Sequence, residues 1–129
     1  MEARTKFKIT GWEEEDVATL QKGGKVTRAH VGKIYEGELN GEGKVEYLMF
    51  YRSDGSVEFV GYENVVGSLK GNDGSFVFEH RGQFRNGVAK DTWTVIEGSG
   101  GAGLSGLTGE VHFEADHKEE YEVILRYEL

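Results

Sequence analysis

The strongest constraint in this sequence is a rhythm of alternating side chains broken at intervals by tight-turn residues. From Ser56 to Leu69, every second residue places Phe59, Gly61, Glu63, Val65, Gly67 and Leu69 on one face and Glu58, Val60, Tyr62, Asn64, Val66 and Ser68 on the other. That period fits a strand with two unlike faces and does not fit a helix. Gly71-Asn72-Asp73-Gly74 follows as a hairpin turn, and Asn40-Gly41, Asp54-Gly55 and Asn86-Gly87 are three more.

Counting outward from each turn predicts the register of the strands Lys25 to Leu39, Glu42 to Ser53, Ser56 to Lys70, Ser75 to Arg85 and Val88 to Glu97. About Asn72-Asp73, Leu69 faces Phe76 and Val65 faces His80; about Asn86-Gly87, Phe78 faces Val95 and His80 faces Trp93. About Asp54-Gly55, Phe50 faces Phe59 and Glu46 faces Glu63, and about Asn40-Gly41, Lys33 faces Leu48 and Tyr35 faces Glu46. Lys33, Tyr35, Glu46, Glu63, His80 and Trp93 are thereby gathered on one side, among Ala29, Val31, Leu48, Phe50, Phe59, Val65, Phe76 and Phe78. The apolar majority makes that side the core. Opposed Cβ atoms lie roughly 4.5–5.5 Å apart and diagonal ones about 7–8 Å, so Glu46, Glu63 and His80 are expected to meet.

Ala3 to Trp12 reads as a first strand, with Phe7 and Ile9 on one face. Glu13 to Gly24 reads as a long connection with a helical turn over Asp16-Val17-Ala18-Thr19-Leu20. After the glycine-rich passage Gly98 to Gly109, Glu110 to Ala115 and Glu120 to Leu129 alternate again. Eight strands at hairpin spacing without a crossover helix predict one domain over residues 1–129, all-β, an eight-stranded antiparallel up-and-down closed barrel, because closure removes exposed strand edges. A barrel of this size holds its own side chains or one small ligand. The same register leaves Ile34, Val45, Tyr47, Met49, Tyr51, Val60, Tyr62 and Val66 outside, an apolar area seldom left to water by a monomer, so a homo-oligomer is expected.

Composition narrows the function classes. Twenty glycines with no proline suit a continuous antiparallel sheet, and the absence of cysteine removes disulfides, thiolate ligands and a thiol nucleophile. A net charge of −8 argues against nucleic-acid backbones as partners. No stretch approaches the ~20 apolar residues of a membrane-spanning helix, and the first residues lack the apolar run of a signal peptide. A soluble, cytoplasmic protein without a membrane partner is expected.

The pattern also resembles a known family. Thr27-Arg28-Ala29 with Val31, Lys33, Tyr35 and Gly37, Gly41-Glu42-Gly43 leading into Glu46-Tyr47-Leu48-Met49, Phe59-Val60-Gly61 with Glu63, Gly74-Ser75-Phe76-Val77 with His80 and Gly82, and Thr92-Trp93-Thr94-Val95 before Gly98-Ser99-Gly100 carry the resemblance. They are similar to small bacterial domains of unknown function grouped with allene oxide cyclase-like barrels. The resemblance implies an eight-stranded barrel and brings no assigned activity. The plant cyclases of that barrel convert a fatty-acid epoxide without a cofactor in an apolar cavity; this chain departs from them in having no cysteine.

Two carboxylates and an imidazole in an apolar interior would differ in proton affinity, which is what a general acid beside a general base requires. On this reading Glu63, paired with His80, handles a proton, with Glu46 and Lys33 setting the local charge. Tyr35 donates a hydrogen bond, and Trp93, Phe59 and Phe78 wall the ligand site. The bland alternative is an internal ion network that fixes register. A metal on Glu46, Glu63 and His80 is disfavoured because such facial sets usually carry two histidines. Gly98-Ser99-Gly100-Gly101-Ala102-Gly103 matches a dinucleotide pattern, but no helix can follow through Gly106 and Gly109. Two functional readings stand. One is a cofactor-free barrel that binds a small apolar or amphipathic molecule, with isomerisation or cyclisation as the reaction such a site allows. The other is a non-catalytic oligomeric module working through its outer face.

Overall fold

A computed structural model describes residues 1–129. The strands are β1 (Glu2–Thr19), β2 (Lys25–Gly37), β3 (Leu39–Tyr51), β4 (Val57–Leu69), β5 (Asn72–Arg85), β6 (Val88–Val95), β7 (Gly101–Ala102), β8 (Thr108–Ala115) and β9 (Tyr121–Glu128). They run in the order β4-β3-β2-β1-β9-β8-β6-β5, and pairing of β4 with β5 closes the ring. All pairings are antiparallel. The eight-stranded closed barrel expected from the turns is the fold; the two-residue β7 is an addition lying against the start of β5.

Turn geometry decides which faces point inward. Asn86 and Gly87 both have positive φ, as a two-residue hairpin turn requires, and His80 pairs with Trp93 as counted. The β4–β5 turn sits on Lys70-Gly71, again both at positive φ, rather than on Asn72-Asp73. Moving a turn by two residues preserves parity, so Glu63, Val65, Phe76, Phe78 and His80 stay inside although their partners change: Glu63 faces Phe78 and Gly61 faces His80.

At the β3–β4 connection the parity changes. Ser53-Asp54-Gly55 forms an odd-length loop in which the Asp54 carboxylate accepts from the Ser56 amide at 2.8 Å and hydroxyl at 2.7 Å, while the Arg52 amide donates to the Ser56 carbonyl. Met49 therefore faces Phe59 and Val45 faces Glu63. Every side chain of β3 is turned over relative to the sequence expectation. Val45, Tyr47 and Met49 are buried and Tyr51 is half-buried, whereas Glu46 and Leu48 are exposed. The β2–β3 turn lies at Gly37-Glu38, not Asn40-Gly41, so Lys33 faces Gly43 and His30 faces Glu46.

The expected helical turn after Trp12 is absent. β1 continues to Thr19 as a hairpin arm along β2, with irregularities at Ile9/Gly11 and Asp16/Ala18. Glu14 anchors this arm inward, accepting from Trp12 Nε1 at 2.9 Å, Thr27 Oγ1 at 2.7 Å and Tyr51 Oη at 2.5 Å.

The barrel has unlike ends. At one end Leu104 and Leu107 of the glycine-rich passage are fully buried among Leu39, Leu69, Phe76, Val95 and Leu125, forming a plug. The Gly103 amide fastens it by donating to the Asp73 carbonyl at 2.8 Å. The other end is open. There the backbone ladder has a gap: β8 meets β9 only at Thr108–Glu110, and β9 follows β1 only along Glu2–Phe7.

Candidate functional site

The open end holds a cavity of about 860 Å³, within the ~300–1,000 Å³ of small-molecule pockets. Val31, Met49, Val57, Phe59, Phe84 and Phe113 are among its apolar walls, and Trp12 of the β1 arm stacks on Tyr47 at its rim. Its polar lining at depth is Lys33 and Asp91, and both touch the indole of Trp93, which also lines the cavity.

Beneath that floor lies a charged cluster whose room comes from glycine. Lys33, His80 and Asp91 each face a glycine across the sheet, respectively Gly43, Gly61 and Gly82. A Cβ on Gly43 would come within 2.1 Å of Glu63 Oε2, and one on Gly82 within 2.1 Å of the Asp91 Cβ. These glycines are there so that long polar side chains can lie flat inside a narrow barrel.

Glu63 is the hub. Its Oε1 accepts from Lys33 Nζ at 3.1 Å and contacts His80 Nε2 at 2.6 Å, and its Oε2 accepts from Tyr35 Oη at 2.5 Å. Glu63 and His80 are wholly buried and Lys33 is 4% exposed. Burial alone would raise the Glu63 pKa; the Lys33 charge, the hydrogen bond and charge of His80, and the Tyr35 hydrogen bond outweigh it and hold it at about 2. The carboxylate is thus ionised and only accepts, so the His80 nitrogen facing it carries a proton. Burial, then the Glu63 charge and hydrogen bond, push the Tyr35 hydroxyl well above the usual phenol range, so it remains a donor. The Lys33 ammonium rests over Trp93, 4.2 Å from the ring centroid, and over Phe7 at 4.6 Å.

On its far side His80 Nδ1 is buried without a hydrogen-bond partner, 3.6 Å from Asp91 Oδ2. That oxygen accepts from Trp93 Nε1 at 2.6 Å. Asp91 escaped the sequence reading, although its alternation with Trp93 and its register opposite Gly82 were there to be counted. Tyr47, edge-on to His80 at 5.6 Å between centroids, was missed because it was placed outside.

Of the sequence-derived candidates, Lys33, Tyr35, Glu63, His80 and Trp93 form one connected cluster, Phe59 lines the cavity, and Phe78 packs edge-on to Trp93 in the core below it. Glu46 does not join them. The inverted face of β3 puts it on the outer wall, where it contacts His30 Nδ1. A Glu46–Glu63–His80 metal set is therefore not assembled, and no group of three or more ligand-type residues could hold a metal ion. No helix is long and apolar enough to cross a membrane.

The sequence matches the family model DUF3224, described as a protein of unknown function, over residues 3–127. The chain belongs to the DUF3224 family. A crystal structure of a DUF3224 protein of unknown function from Shewanella oneidensis MR-1 superposes with a TM-score of 0.86 at 27% identity, covering 98% of this chain and 95% of that one. No curated protein matches the chain. The barrel is thus a DUF3224 fold, and what it does has to be argued from its cavity.

Proposed function

We propose that this DUF3224 barrel binds a small, largely apolar molecule in its open end, with the polar part of that molecule on the floor between Lys33 and Asp91. The observation that carries the reading is the asymmetry of the interior. One end is plugged by Leu104 and Leu107, and the other keeps a cavity of about 860 Å³ whose deep polar groups belong to a buried ion network. A network serving stability alone gains nothing from ending at a hollow. Cofactor-free isomerisation or cyclisation is the class of reaction suggested by analogy with the allene oxide cyclase-like barrels that the sequence resembles, an analogy of fold that does not by itself assign an activity.

Uptake of anilinonaphthalene sulfonate, read by its own emission and by quenching of Trp12 and Trp93, tests the binding, together with native mass spectrometry of freshly purified protein. Saturable uptake displaced by apolar molecules is expected. A protein that takes up no dye and carries no co-purifying molecule refutes it.

The second reading, an oligomeric module, rests on less outer surface than the sequence suggested, because Val45, Tyr47, Met49 and Tyr51 face inward. What supports it is the exposed cluster of Leu48, Val60 and Tyr62 on neighbouring strands, beside Arg28, His30, Glu79 and Arg81. A single monomeric species in sedimentation at micromolar concentration would count against it.

A further inference from the structure

We propose that Asp91 is the proton-transferring group of the cavity, positioned by His80, and that its substrate carries an enolisable carbonyl whose oxygen is received by Lys33. This rests on the reading of the cavity as a ligand site.

A network built only to fix register would satisfy each of its buried atoms. This one leaves His80 Nδ1 without a partner, and the oxygen it faces belongs to Asp91, the carboxylate on the cavity floor. Because Nε2 is committed to Glu63, Nδ1 is the nitrogen free to gain a proton. Lys33 supplies one positive charge against the two negative charges of Glu63 and Asp91, so a proton on His80 Nδ1 makes the buried set neutral. It also turns an approach between lone pairs into a charge-assisted contact with the Asp91 carboxylate, the form that acts as a base. Asp91 Oδ2 accepts from Trp93 Nε1 and faces His80 Nδ1 at 3.6 Å, while Oδ1 makes no hydrogen bond.

Lys33 completes the site. Its ammonium lies over the Trp93 and Phe7 rings, bonded to Glu63, and the residue lines the cavity floor, so that its charge can stabilise charge developing on an oxygen there. The step is balanced without a co-reactant. Asp91 Oδ1 takes the proton from the carbon beside the carbonyl, the C–H pair becomes the carbon–carbon double bond of an enolate, and the carbonyl π pair moves to the oxygen at Lys33 Nζ. Return of the proton from Asp91 to a conjugated carbon, with the pairs moving back, completes an isomerisation; where the Asp91 carboxyl proton first swaps with one from solvent, its delivery to the same carbon completes an exchange. His80 acts through Asp91 and is a positioning residue.

The test uses the full chain and medium-chain methyl ketones in heavy water. Displacement of anilinonaphthalene sulfonate reports binding, and loss of the α-proton signal by NMR reports exchange. Wild-type protein is expected to exchange the α-position at least about a hundredfold faster than Asp91→Asn. Asn keeps an acceptor for Trp93 Nε1, and Lys33→Met is expected to slow exchange as well. His80→Gln is expected to lower the exchange rate at saturating ketone while leaving the ketone concentration that displaces the dye unchanged, a split that a purely structural role would not produce. Ketones that displace the dye but exchange no faster than in buffer overturn the proton-transfer assignment and leave the binding reading intact. Dye uptake without displacement by any ketone overturns the carbonyl class, and absence of dye uptake overturns both proposals.

Discussion

Replacing Glu63 with Gln removes one charge from a site that has no water to compensate. The amide is nearly isosteric, so packing is kept, but Lys33 becomes a buried cation with no anion within hydrogen-bond reach, and His80 and Tyr35 lose a charged acceptor. Breaking one side of a buried ion pair costs about 3–5 kcal/mol. The pKa gives an independent figure: a fall from 4.5 to about 2 corresponds, at about 1.36 kcal/mol per unit, to roughly 3 kcal/mol at neutral pH. For a domain of this size that is a fall in Tm of roughly 10–15 °C.

The pH dependence has a definite sign. Because the folded-state value is depressed, the unfolded chain binds more protons in the interval between the two values, so this group's contribution is complete above about 4.5 and is lost as pH falls toward 2. Urea unfolding followed by tryptophan fluorescence at pH 7, 5 and 3 measures both effects. The gap between wild type and Glu63→Gln should be about 3 kcal/mol at pH 7 and should narrow at pH 3. The double replacement Lys33→Met with Glu63→Gln should recover part of the loss, since it removes the unpaired buried cation while the amide oxygen keeps an acceptor for Tyr35 or His80. A gap below about 1 kcal/mol at pH 7, or one that does not change with pH, would refute the account of Glu63 as the hub.

Glu46→Gln, on the outer wall, should change stability by less than about 0.5 kcal/mol in the same urea assay, in contrast with Glu63→Gln. Gly43→Ala places a methyl where the Glu63 carboxylate and the Tyr35 ring lie, and should destabilise by about 1–3 kcal/mol while weakening dye uptake. Leu107→Ala in the plug should cost about 2–5 kcal/mol in thermal unfolding yet leave dye affinity unchanged, because the plug lies at the end away from the cavity. Trp12→Ala should weaken dye binding with little effect on Tm, since Trp12 is 47% exposed and meets the barrel chiefly through Tyr47.

Much of this architecture was legible because antiparallel hairpins propagate information by counting. Asn86-Gly87 carried His80 to Trp93 correctly, and the two-residue displacement at Lys70-Gly71 left Glu63 and His80 on the inner face. The error at Asp54 was of the other kind. One residue in a loop turned β3 over, sent Glu46 out and brought Tyr47 in. The alternation along β3 itself favours the observed face, with Leu39, Val45, Tyr47 and Met49 on one side and Asn40, Glu42, Lys44 and Glu46 on the other, but the count from Asp54-Gly55 overrode it. The facing glycines carry further information: Gly43, Gly61 and Gly82 mark where large polar groups lie across the sheet, and pairing each with its partner would have found Asp91. The β1 arm was not legible because its acidic residues are exposed and bear no alternation; its strand form comes from its ladder with β2.

The gap in the ladder between β8 and β9 has a dynamic consequence. At that stretch β8 and β9 are joined by rings, Phe113 edge-on to Tyr121 at 5.5 Å with Phe7 of β1 against both, and not by ladder pairing. Rings can slide past one another in times far shorter than global opening takes. On the proposed reading of the cavity, a guest would come and go through this clasp while the hoop of strands stays whole, which would separate its residence time from the lifetime of the folded state.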